Sequence, residues 1–336
     1  MTRHLNLIIL LPLLTSGLAS VARSQNTNHK PLPPFPLPDT VETRHVDIYS
    51  EGTRMSGLLY SAKANAGKKL PTILMAHGWG GVAASLRREA VPFALAGYLV
   101  LAFDYRGWGA SDSRVILADK RAPKEKTAGR FTAEVQEVRE VVDPLDMVVD
   151  WQNAIAFVVA EPQCDPARIG LWGSSLSGGL VVSAAVRDPR VKAIHSQVPA
   201  LDGRWALGTP HDRALTLDET TKRARGELGY PAPRANTVAH LIGAPIRFQF
   251  ASWSPVDEIE RIPHCAMQFV IAGKEELLDN KLHGILAYER AKGPRNLVNI
   301  PDIDHYGIYY ILSAREQSRD LAIAWFDKYL KTVSTQ

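Results

Sequence analysis

The run Arg168-Ile169-Gly170-Leu171-Trp172-Gly173-Ser174-Ser175-Leu176-Ser177-Gly178-Gly179 joins three local signals. Residues 169–172 form a short apolar run with the continuity of a buried strand. Small residues follow, and then Leu180-Val181-Val182-Ser183-Ala184-Ala185-Val186 predicts a helix. Strand, tight turn and helix with Gly-x-Ser at the turn is the context that a nucleophile elbow requires. Such a turn strains the serine backbone, so its neighbours must be small. The helix that follows aims N–H groups and the positive end of its dipole at the same point. Ser175 is the favoured nucleophile, because it alone has glycine two residues before it and small residues two and three after. Ser177 stands where the motif wants its second glycine, with Gly178 and Gly179 behind it. Ser174 and Ser177 are the alternative registers.

Working outward, the length of 336 residues suits one large α/β domain. A formal charge of +4, with 46% hydrophobic and 22% charged residues, is ordinary for a globular protein. No basic stripe with interleaved aromatics argues for nucleic acid. Arg3 and His4 precede an apolar run over residues 5–14, and small residues lead to Ala22. This predicts a secretory signal peptide over residues 1–22, hence a secreted or periplasmic protein, because the run is too short for a stable membrane span of about 20 residues. Cys164 and Cys265 are too few for a disulfide framework, and their pairing is left open. Residues 23–40 form a leader rich in proline: Pro31, Pro33, Pro34, Pro36 and Pro38.

Downstream, residues 44–49 and 55–60 flank Glu51-Gly52 and predict a hairpin. Buried strands are expected over residues 71–76 and 98–103, with a helix over 86–96 between them. A helix over 144–159 leads to the elbow. Further strands are expected from 191, over 267–271 and over 297–300, before a closing amphipathic helix over 312–330. Continuous apolar strands alternating with helices predict a parallel sheet covered on both faces. Residues 111–139 are charged and aperiodic, and read as a solvated insertion partly near the mouth of the site. Residues 200–263 break the alternation and read as a cap.

A serine hydroxyl needs a base, and the base needs an orienting group. An elbow of this kind takes its acid and then its histidine from the ends of later strands. His305 follows the strand ending at Ile300, in Pro301-Asp302-Ile303-Asp304-His305-Tyr306-Gly307. Glu275 comes first after the preceding strand and is the favoured acid, with Glu276 and Asp279 as alternatives. The glycines of His77-Gly78-Trp79-Gly80-Gly81 let the backbone approach the sheet edge. Trp79 and Leu176 are the expected oxyanion donors. Trp79, Trp253 and Tyr306 are candidate substrate-lining aromatics. No His/Cys cluster has metal-ligand spacing and no dinucleotide glycine signature is present, so neither metal nor cofactor is expected.

From Arg44 to Leu330 the chain resembles the α/β-hydrolase superfamily. The resemblance rests on residues 77–81, on Asp104-Tyr105-Arg106-Gly107-Trp108-Gly109, on the elbow, on 272–277 and on 301–309. Within it, the chain looks like the dienelactone hydrolase and acetyl xylan esterase groups, some of whose relatives carry Gly-x-Ser-x-Ser-Gly at the elbow. The resemblance implies a mostly parallel central sheet with helices on both faces, a hydrolase domain over residues 41–332 and a cap insertion at about 200–263. It implies a serine esterase acting on a small-molecule ester through Ser175, His305 and Glu275 and an acyl-enzyme. Glutamate as the acid departs from the commoner aspartate. Acyl transfer to another acceptor, prolyl-type peptidase activity and a non-catalytic binding role are the alternatives.

Overall fold

The computed structural model describes residues 30–233, 236–238 and 241–331. The expected signal peptide and the first part of the leader lie outside the described residues.

Eight strands form one sheet: β1 (Val41–Ser50), β2 (Thr53–Ala62), β3 (Leu70–Ala76), β4 (Leu99–Phe103), β5 (Cys164–Ser174), β6 (Val191–Gln197), β7 (Ala266–Ala272) and β8 (Arg295–Ile300). Their spatial order is β1-β2-β4-β3-β5-β6-β7-β8. From β4 to β8 every pairing is parallel, whereas β1 with β2 and β2 with β4 are antiparallel. The β1–β2 loop is Glu51-Gly52, both at positive φ (48° and 79°), as a two-residue hairpin turn of the primed type demands.

The central strands are buried along nearly their whole length because both faces are covered, and they are mostly apolar. Alternate residues split between two cores. Leu74, Leu101, Phe103, Ile169 and Leu171 join the cluster that packs on α2 (Pro144–Val159) and α3 (Leu176–Arg187). Ile73, Met75, Val100, Ala102 and Trp172 face the other way, against α1 (Arg87–Leu95) and a long C-terminal helix. Helix α2 starts at Asp143, whose carboxylate caps the N–H groups of Leu145 and Asp146, with Pro144 in the first turn.

Between β6 and β7 the chain leaves the sheet and crosses its carboxyl edge. This segment carries α4 (Pro210–Ala224), α5 (Arg247–Ala251) and several shorter turns. The charged stretch over 111–139 forms an exposed antiparallel ribbon, Arg114–Leu117 with Val135–Val138, and Lys120 Nζ reaches the Gly226 carbonyl just beyond α4 (2.6 Å). The last helix, α6 (Leu312–Phe326), gives way to a wider turn over Asp327–Lys331 rather than running unbroken to residue 330. Cys164 and Cys265 are buried free thiols. Among the described residues, no helix is long and apolar enough to cross a membrane.

Candidate active site

Ser175 sits between the last residue of β5 and the first of α3, at φ 55° and ψ −120°. Positive φ at a non-glycine residue is strained and must be imposed by its surroundings. Three backbone hydrogen bonds impose it: Ser175 N–H donates to Gln197 O (2.9 Å), and Ser175 O accepts from Gly178 N–H (2.9 Å) and Ala200 N–H (3.0 Å). A Cβ at Gly173 would lie 2.2 Å from Ser177 O, and one at Gly179 would lie 1.9 Å from Ala200 O. The close approach behind the elbow thus falls on Gly179, which leaves position 177 free to carry a small polar side chain.

The three serines have separate partners. Ser175 Oγ lies 3.0 Å from His305 Nε2. Ser174 Oγ turns away to the Tyr309 hydroxyl (2.5 Å) and accepts from Gln197 Nε2 (2.9 Å). Ser177 Oγ is wholly buried and accepts from the Tyr105 hydroxyl (3.3 Å), which accepts in turn from Trp151 Nε1 (3.1 Å). Only Ser175 faces a base.

His305 Nδ1 meets both Glu275 oxygens, at 2.9 and 3.0 Å. The tautomer that satisfies both sides donates from Nδ1 and accepts the serine proton at Nε2. Glu275 Oε1 also accepts from the N–H groups of Leu277 (3.1 Å) and Leu278 (3.2 Å), which fix the carboxylate in the tight turn after β7. Glu276 has another place: its Oε2 accepts the backbone N–H of His305 (2.7 Å), tying the two loops together. Burial pushes the Glu276 carboxyl up, and the Glu275 charge adds to this. Asp279 caps its own turn, accepting from Lys281 N–H (2.9 Å).

The glycine loop lies against the elbow. A Cβ at Gly78 would sit 2.9 Å from Ser174 O and 3.4 Å from Ser175 Cβ. Gly78 O is 2.8 Å from His77 Nδ1 and also accepts from Gly81 N–H (3.3 Å). In a trans peptide the N–H of Trp79 points opposite to that carbonyl. Burial lowers the pKa of His77, with Asp104 opposing, and its Nδ1 contact with Gly78 O helps hold the peptide plane. Leu176 is the first residue of α3, and its N–H has no acceptor within the helix.

Ser175 opens into a cavity of about 860 Å³. Its lining includes two sets of side chains in mutual contact. In the first, Trp79 stacks on Phe250 (centroids 5.4 Å apart), which also meets Trp205 (5.3 Å) and Trp253 (6.1 Å). Trp79 Nε1 donates to Gly243 O (3.2 Å), pinning the glycine loop to the crossing segment. Trp253 lines the cavity, but it is 3% exposed and anchored by its indole N–H on Ser183 Oγ (3.0 Å), so only an edge of the ring is available. The second holds Tyr309 and the paired Glu89 and Arg315: Arg315 donates to Tyr309 O (3.1 Å) and to Glu89 Oε2 (2.8 Å). Tyr306 packs edge-on against the His305 ring (5.6 Å). Tyr306, Tyr310 and residues 31–35 also line the cavity. None of the lining residues comes from 111–139, so the exposed ribbon stands away from the mouth. Among the described residues, no group of three or more His, Cys, Asp or Glu side chains is arranged to hold a metal ion.

Sequence reading missed Phe250, the Gln197–Ser174–Tyr309 cluster beneath the elbow and the leader as a wall. The aromatics in an otherwise charged segment over 200–263 were the one available signal for Phe250.

A profile of the acetyl xylan esterase family (AXE1) matches residues 39–224. The thiohydrolase aneE of Aspergillus aculeatus is 24% identical over 301 residues, covering 77% of this chain and 84% of that protein. The crystal structure of hypothetical protein PA2218 from Pseudomonas aeruginosa aligns with a TM-score of 0.71 at 21% identity, over 88% of this chain and 96% of that one. The alpha/beta hydrolase GrgF from Penicillium sp. sh18 aligns with a TM-score of 0.68 at 18% identity, over 86% of this chain and 99% of that one.

Proposed function

The chain belongs to the acetyl xylan esterase family, and on that premise we propose that it is an exported serine hydrolase cleaving carboxylic esters through Ser175, His305 and Glu275. One observation carries the reading: a hydrogen-bonded line from Ser175 Oγ to His305 Nε2 (3.0 Å) and from His305 Nδ1 to Glu275 (2.9 Å), at a strained elbow. Ser175 Oγ attacks the ester carbonyl carbon while its proton passes to His305 Nε2. Glu275 holds the imidazole in register and stabilises its charged form. The carbonyl oxygen takes up negative charge beside the N–H groups of Trp79 and Leu176. The carbon–oxygen bond to the alcohol then breaks, and the alcohol leaves with the proton from His305. Water attacks the acyl-enzyme by the same route and frees Ser175.

Export rests on the charged start, the apolar run over residues 5–14 and the small residues up to Ala22. The hydrolase domain over 41–332 and the cap at about 200–263 belong to the same reading. A second reading keeps the serine and changes the bond: the thiohydrolase relative favours thioesters, whose thiolate leaves by the same chemistry.

The test is labelling by a fluorophosphonate together with ester and thioester turnover. Ser175→Ala is expected to abolish labelling and turnover with the fold intact, whereas Ser174→Ala and Ser177→Ala keep the label. A folded Ser175→Ala variant that still labels would exclude Ser175 as the nucleophile.

A further inference from the structure

One wall of the cavity comes from outside the sheet and its helices. Along the leader, burial recurs every third residue: Leu32, Phe35 and Pro38 are half-buried, while Pro31, Pro33, Pro34, Pro36 and Leu37 are exposed. Three residues per turn is the period of a polyproline II helix, which proline favours and which has no internal hydrogen bonds. Such a rod is stiff, so a few anchors suffice to hold it. Arg88, on α1, supplies two of them. Its Nη2 donates to Pro33 O (2.6 Å), and its guanidinium carbon lies 5.0 Å from the centroid of the Phe35 ring. Phe35 packs in addition against the core cluster that contains the buried face of α1. At its far end the rod is tied to the sheet by Val41 N–H donating to Pro38 O (2.9 Å).

Contacts link the strap to the His305 loop. The proton that frees the alcohol comes from His305; Tyr309 in the same loop accepts from Arg315, which pairs with Glu89, next in sequence to the strap anchor Arg88, and all of these line the cavity. In the esterase reading the carbonyl oxygen sits at the Trp79 N–H, and the Trp79 ring stacks on Phe250. The leaving group therefore points toward the strap and the acyl chain toward Phe250. We propose that residues 31–35 act as a fixed wall of the leaving-group arm and limit the size of the alcohol that the site accepts. This rests on the esterase reading above.

The experiment compares acetate esters whose alcohol grows from ethyl to octyl, followed by acetate release, in the wild type, Phe35→Ala and Arg88→Ala. The kcat/KM ratio of octyl to ethyl ester is expected to rise about tenfold in both variants, the discrimination a pocket wall exerts over a few methylenes. Phe35→Tyr, which keeps the ring over Arg88, should restore the wild-type ratio. The acyl-length profile with p-nitrophenyl esters should keep its shape. An unchanged or lower ratio in variants that melt as the wild type does, or an acyl profile that moves as well, would overturn the strap assignment while leaving the esterase in place. A wild type that cleaves no ester and takes no fluorophosphonate label would instead sink the esterase reading. The wall is then tested by N-phenyl-1-naphthylamine fluorescence: weaker binding by Phe35→Ala supports it, and equal affinity removes the strap from the cavity.

Discussion

The loops at the sheet edge and the segment that crosses above them are built on opposite terms. At the edge, backbones touch: a Cβ added at Gly173, Gly179 or Gly78 would meet a carbonyl oxygen at 2.2, 1.9 or 2.9 Å. Each reactive side chain there is held by groups from other loops. Above the edge, stacked side chains such as Trp79 on Phe250 share the work with backbone hydrogen bonds such as Gly203 N–H to Trp253 O (2.8 Å). Trp205 is 38% exposed, and Leu217 and Phe248 of the same segment are exposed as well. The contrast separates two jobs. Reaction geometry needs sub-ångström placement, which packed backbone supplies, while the shape of the cavity can vary with the side chains above it and leave the fold intact.

If this division holds, substitutions at the edge should act on turnover and those above it on selectivity. The largest effect in this set is expected from Glu275→Gln, which should lower kcat by about 10³- to 10⁴-fold through loss of imidazole orientation. Glu276→Gln should be milder, because its carboxylate holds a backbone N–H and not the imidazole. Steady-state kinetics in the reverse order would transfer the orienting role to Glu276. Next comes Gly78→Val, whose branched side chain would push the loop away from the elbow. Turnover should fall about 10²- to 10³-fold, as when one oxyanion donor is lost, with an unaltered circular dichroism spectrum. Unchanged kinetics would remove residues 78–79 from the oxyanion site.

The third prediction concerns the buried polar layer under the elbow. His195 is fully buried, 2.8 Å from Gln268 Oε1, and burial, which outweighs the hydrogen bonds from Gln268 and Gln197, lowers its pKa to about 4. The unfolded chain binds the proton near pH 6.5, so the folded state binds fewer protons between these values. The contribution to stability is full above the unfolded value and is lost as pH falls toward 4. Between pH 7 and pH 5 the loss is about 2 kcal/mol. His77 and His283, also lowered by burial, act in the same direction. Denaturant titrations at the two pH values measure this, and His195→Gln should flatten the dependence; a slope equal to the wild type would show that His195 does not carry it. The smallest effect is above the edge. Trp205→Ala should shift the preference between long and short acyl chains by about tenfold while fluorophosphonate labelling persists. Loss of labelling there would break the division of roles.

Much of the architecture was legible before any coordinates. Apolar runs such as 71–76 and 98–103 report burial on both faces, because a strand places successive side chains on opposite sides. Gly173-x-Ser175 reports the elbow, because the strain and the close approach are local to a few residues. The order of elbow, Glu275 and His305 follows from strand ends that share one edge. What the sequence left open was decided by contacts between distant parts. Glu275 and Glu276 are adjacent and chemically alike, and only the turn made by the N–H groups of Leu277 and Leu278 aims the first at the imidazole and the second at the backbone of residue 305. Ser174, Ser175 and Ser177 were likewise separated by Tyr309, His305 and Tyr105, each far away in the chain. Phe250 and the proline-rich strap entered the cavity wall through packing on Trp79 and Arg88. Local pattern records which residues are buried or strained; partners are chosen in three dimensions, where residues far apart in the chain compete for the same few ångströms.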